Sequence, residues 1–197
     1  MAKHVGAPKQ IVDLIASYGG VMGAGMADLE TLAAMLHANP QLRVGERFDS
    51  PEMVRLLLRY QPDLLKRSPD PTAWWSNAAP PTPELARWIL QLGLDPNRRN
   101  WLGITMLHRC AAKEDVAVAG VFLEFGADIN AIETEWSSTP LGWAAREGRK
   151  EMVEWLLANG ANPDLPEDEP WALPSEWATR RGHHDIAEIL RRRVEAR

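Results

Sequence analysis

The chain is poor in most of what catalysis or membrane insertion requires. It has a single cysteine, Cys110, in 197 residues, so no internal disulfide can form. It has no apolar run long enough to span a bilayer, and no leader with a basic start and a small-residue cleavage site. Basic residues are the minority, 22 Lys and Arg against 27 Asp and Glu, for a net charge of -5 and a pI near 5.6. A general nucleic-acid binder carries the opposite footprint. No Ser-His-Asp or Cys-His spacing stands out. Gly19-Gly20 and the glycines at 23 and 25 lack the Lys-Ser/Thr that a phosphate loop needs. These absences predict a soluble, cytoplasmic protein with no cofactor, no metal and no affinity for nucleic acid or membrane.

What is present is a repeating pattern, clearest over residues 132–164. A polar hairpin leads to Thr139, a good helix N-cap, and Pro140 fits the first helical position, where a missing N–H costs nothing. Leu141, Ala144 and Ala145 form a narrow face that a second helix can approach closely. Gly148 and Gly160 suit left-handed helix stops. Between them Met152, Val153, Leu156 and Leu157 recur at helical spacing. The unit is copied at a period of about 33 residues, the mark of a stacked-repeat chain. Thr105-Met106-Leu107-His108 stands one period before Thr139-Pro140-Leu141-Gly142, and Gly126-Ala127-Asp128 one period before Gly160-Ala161-Asn162. Thr72, Ala78 and Gly93-Leu94-Asp95 precede their counterparts by a further period. Leu173-Pro174, Ala178 and Gly182-His183 follow Thr139-Pro140, Ala144 and Gly148-Arg149 by the same step.

At these residues the chain resembles the ankyrin repeat family, whose period and Thr-Pro-Leu-His pattern they share. The resemblance implies an all-α solenoid of stacked helix–turn–helix units, about five to six in number and with no sheet, as one domain over residues 1–197. The better-matched repeats are 69–97, 100–130, 133–164 and 167–193, and degenerate units fill 8–62. First helices are expected near 105–113, 139–147 and 173–181, second helices near 84–92, 116–125, 150–158 and 184–193. Cys110 falls at a small-residue position, which marks a packed thiol rather than a nucleophile. The resemblance also implies that His108 hydrogen-bonds between neighbouring turns and that His183 is a turn histidine.

The N-terminal third is less regular. Residues 9–18, 28–38 and 51–60 read as helices. Residues 21–26 suit a poor first helix or a loop. Asn39-Pro40 and Gln61-Pro62 stand closer together than one period, so 41–49 is too short for a hairpin and a full first helix. Residues 61–83 hold six of the fifteen prolines, with a short first helix expected at 74–79.

Two clusters invite a chemical reading. His183, His184, Asp185 and Glu188 contain a helical i, i+4 pair, but no second ligand group complements them, and a metal needs several convergent ligands. Glu133, Glu135 and the acids at 167–169 read as solvated hairpin residues. The nine tryptophans carry more. Trp101, Trp136 and Trp171 lie in successive hairpins. Trp143 and Trp177 share one first-helix position, with Arg109 as their counterpart. The resemblance implies that hairpins and first helices line a concave groove. The function expected is therefore non-catalytic binding of a protein partner by a monomer, through Trp101, Arg109, Trp136, Trp143, Arg146, Trp171 and Trp177. The alternative is a tryptophan-lined pocket for a small aromatic, apolar or cationic ligand, or an enzyme site in which Glu133, Glu135 or Asp168 takes part. A plainer reading is that some of these rings only cover short hairpins.

Overall fold

The computed structural model describes residues 22–23, 29–39, 44–45, 51–63 and 82–195. They fall in two compact units, the first within Met1–Ser68 and the second running on from Thr82. The helices expected at 9–18 and 74–79 lie outside the described residues.

In the first unit, α1 (Leu29–Ala38) packs on α2 (Pro51–Tyr60). Leu36 and Leu57 are fully buried between them. Apolar residues three and four apart place both helices in the sequence as well. One feature departs from an all-helical chain: β1 (Met22–Gly23) and β2 (Val44–Gly45) form a two-residue parallel pair. Neither stretch has a helical run of apolar residues, so no helix competes for these backbone groups.

Among its described residues, the regular elements of the second unit are all helical. It runs α3 (Pro83–Gln91), α4 (Met106–Lys113), α5 (Val116–Glu124), α6 (Pro140–Arg146), α7 (Lys150–Ala158), a short 3-10 turn (Pro170–Ala172), α8 (Pro174–Arg181) and α9 (His184–Glu195). Local chemistry sets the starts. Thr82 accepts from the Leu85 N–H at 3.2 Å, Thr139 from the Gly142 N–H at 3.2 Å and Asp115 from the Val118 N–H at 3.1 Å. Each cap satisfies a donor that the helix itself cannot.

Packing follows from the narrow faces. α6 lies between α4 and α8, and α4, α6 and α8 each pack on the helix that follows. Ala111, Ala144, Ala145 and Ala178 are fully buried in the row of first helices; small side chains allow that close approach. Met152, Val153 and Leu156 on α7 have no exposed surface, and Ile186, Ala187 and Leu190 continue the core on α9. Between repeats, the Asn97 side chain accepts from the Asp128 N–H, and the Asn130 side chain accepts from the Asn162 N–H at 2.8 Å. These side chains tie each turn to its counterpart in the next repeat.

Candidate binding surface

The hairpin before α6 is built around a buried carboxylate. Glu133 is only 1% exposed. Its oxygens accept from the backbone N–H groups of Glu135 at 2.6 Å, Trp136 at 3.0 Å and Ser138 at 3.2 Å. The Glu133 N–H donates back to the Ser138 carbonyl at 3.1 Å. Glu133 is therefore not a solvated hairpin acid, as its polar neighbours suggest. Three backbone donors replace its water, which is what a buried carboxylate needs, and the same contacts fix where Trp136 leaves the loop. Engaged in this way, Glu133 is not available to a substrate. The preceding hairpin shows the simpler form: Asn100 Oδ1 accepts from Leu102 at 3.0 Å and Ile104 at 2.9 Å. Asn100 and Glu133 stand one repeat apart, a recurring acceptor that sequence reading passes over.

Trp136 starts a continuous stack. Its ring centroid lies 5.5 Å from that of Trp143 on α6, and the Arg146 guanidinium sits 3.7 Å from its centroid. Arg146 also lies 5.4 Å from the Trp177 ring on α8. Trp177 meets Trp171 edge-on at 6.1 Å, and Arg180 lies 4.6 Å from Trp177 and 5.9 Å from Trp171. Two repeats thus supply one ladder of indoles and guanidiniums. Trp171 is 49% exposed, whereas Trp136, Trp143 and Trp177 are half-buried. Trp101 is 83% exposed in the preceding hairpin and is not among the stacked rings. Arg109 is half-buried on α4, one repeat before Trp143.

The pattern "Ankyrin repeats (3 copies)" matches residues 75–167. Cyclin-dependent kinase 4 inhibitor B of Bos taurus is 35% identical over 112 residues, which cover 55% of this chain and 81% of that protein. The chain belongs to the ankyrin repeat family. Palmitoyltransferase Hip14 of Drosophila melanogaster is 35% identical over 83 residues, 42% of this chain but 13% of its own length. Palmitoyltransferase ZDHHC17 of Homo sapiens is 30% identical over 86 residues, 44% of this chain and 14% of its own length. The chain thus spans about one seventh of these palmitoyltransferases. Ankyrin repeats are generally protein-interaction modules.

Two residues show how this ankyrin array keeps and breaks its motif. His108, fully buried, takes the Thr105 N–H on Nδ1 at 3.2 Å, so its proton sits on Nε2, which donates to the Ser138 carbonyl of the next hairpin at 3.1 Å. Burial pulls its pKa down to about 4, so it is neutral at pH 7 and bridges repeats. Its ring and that of Trp143 meet in a T-shaped contact with centroids 5.5 Å apart. One repeat later the same position is Gly142. A Cβ there would lie 2.2 Å from Ser138 Oγ and 3.6 Å from Trp177 Cδ1. The Trp177 ring therefore stands beside Gly142 as Trp143 stands beside His108 one repeat earlier.

The remaining candidates are accounted for by packing. The His183 ring fills the space beside Gly148, 2.6 Å from where a Cβ would be. Asp185 pairs with Lys150 at 3.3 Å, and Glu188 with Arg192. Cys110 is buried, which pushes its thiol pKa up and leaves no thiolate for attack. A cavity of about 320 Å³ lies between Ile132, Ser137 and the 165–169 loop, and one of about 510 Å³ between α7 and α9. Neither is lined by tryptophan. Among the described residues, no helix is long and apolar enough to cross a membrane.

Proposed function

We propose that the chain is a non-catalytic binding module and that a protein segment docks on the face formed by Trp101, Arg109, Trp136, Trp143, Arg146, Trp171 and Trp177. One observation carries this reading: indoles and guanidiniums from two successive repeats form a single stack that remains partly open to solvent. Aromatic rings lose little conformational freedom on binding, and tryptophan and arginine are enriched among the residues that dominate interface energetics. The bovine relative is by name an inhibitor of a kinase and aligns over 81% of its length. That supports a chain that acts by occupying a partner.

The test uses a partner captured from the native cell by affinity pull-down, then titrated calorimetrically. Trp136→Ala combined with Trp171→Ala removes one half-buried and one exposed ring from the stack, at roughly 2 kcal/mol or more each for hot-spot aromatics. Affinity should fall by at least about a hundredfold, with the thermal melt within a few degrees of the parent's. Unchanged affinity would mean that these rings only cover their hairpins.

A further inference from the structure

Arg146 and Arg180 mark what the surface lacks. Both guanidiniums lie on indole faces. Stacking occupies the flat faces of a guanidinium, while its N–H groups point outward in the plane and stay available to a fork of oxygens. Neither guanidinium donates a hydrogen bond within the described residues. The Arg146 side chain is only 16% exposed, and its Nε is buried without an acceptor. The Glu147 carboxylate approaches it at 4.0 Å, too far for a hydrogen bond, and is itself 42% exposed. The terminal NH2 groups of Arg146 are not among its buried atoms, so they are the donors that a docking oxygen can reach.

The charge pattern selects the oxygens. Both guanidinium carbons lie over the Trp177 ring, at 5.4 and 4.6 Å from its centroid, so they are at most about 10 Å apart. On one face of an extended peptide, side chains recur every second residue, at about 6.5–7 Å. Two carboxylates so placed can reach both arginines. A long polyanion fits worse, because Glu135, Glu167 and Asp168 stand exposed in the flanking hairpins and the chain carries a net charge of -5.

Resting on the proposed docking face, we infer that its occupant is an extended acidic peptide segment, with two carboxylates two residues apart held by Arg146 and Arg180 and apolar side chains over Trp136 and Trp171. The experiment selects random peptides of about a dozen residues, displayed on phage, against the full chain. The winners are then titrated against that chain, against Trp136→Ala/Trp171→Ala and against Arg146→Gln/Arg180→Gln. The expected winners carry Asp or Glu at alternate positions, and lose about tenfold or more in affinity to the arginine variant. The same peptides with Gln for Glu should lose as much on the unaltered chain, which reads the contact even if the arginine variant melts early. Peptides that need the tryptophans but carry no acid pair would overturn the carboxylate inference and leave the docking face standing. Peptides indifferent to the tryptophans, or an empty selection, would overturn both. A single-stranded oligothymidine bound as tightly as the peptides would replace the peptide by a nucleic acid.

Discussion

Gly148 and Gly160 close the two helices of one repeat with the same backbone conformation, φ of +70° and +92°, in different surroundings. Nothing lies within 4 Å of a Cβ built on Gly160, whereas one on Gly148 meets the His183 ring at 2.6 Å. Gly160→Ala therefore carries only the left-handed strain of an L-residue, about 1 kcal/mol. Gly148→Ala adds displacement of a ring that fits the next turn, for a total of about 2–4 kcal/mol. Urea titration of the two variants separates strain from contact, and equal losses would show that His183 yields freely. The sequence announces both glycines. It does not announce Glu114, which takes the Gly148 position one repeat earlier and holds φ of +60° without glycine's freedom. Nor does it announce Glu133, because an acid between polar neighbours looks solvated until the backbone donors around it are known.

Helices were the most legible level, since their signals are local. Thr-Pro starts, glycine stops and apolar spacing lie close together in the chain, and the expected bounds in the second unit nearly coincide with the observed ones. Contacts between helices depend on neighbours a full repeat away. His108 is the clearest of these, because its ring joins α4 to the hairpin before α6. Its folded pKa of about 4 lies below the ordinary 6.5, so the unfolded chain binds the proton more tightly. The contribution of the neutral ring is complete above pH 6.5 and is lost as pH falls towards 4, roughly 3 kcal/mol in all. Denaturation midpoints for the parent and His108→Gln should diverge as pH rises through this window and run parallel above it. Parallel curves throughout would mean that the ring is not a buried neutral bridge. Leu156 on α7 tests the packing itself: it is fully buried, and Leu156→Ala should cost about 2–5 kcal/mol in the same assay.

For the molecule, repetition makes position readable and leaves contact unreadable. That Trp143 and Trp177 occupy equivalent places on α6 and α8 follows from the period alone. That Arg146 reaches both Trp136 and Trp177 depends on where the hairpin and the next first helix set those two rings, and no spacing rule contains that. A stacked array also has a stability profile that a globular core lacks, because each repeat is held only by its neighbours. In the second unit α6 is flanked on both sides by first helices, and Leu141, Ala144 and Ala145 are fully buried. By contrast, residues 191–195 of α9 are exposed throughout. Native-state hydrogen exchange should therefore be slowest in α6 and α7, intermediate in α4 and α8, and fastest at the end of α9, where opening exposes little apolar surface. Leu156→Ala should lower protection most in α6 and α7 and least at the end of α9, whose opening does not require the centre to unfold. Uniform protection from α4 to α9, moving as a block in the variant, would describe one indivisible core in place of coupled repeats.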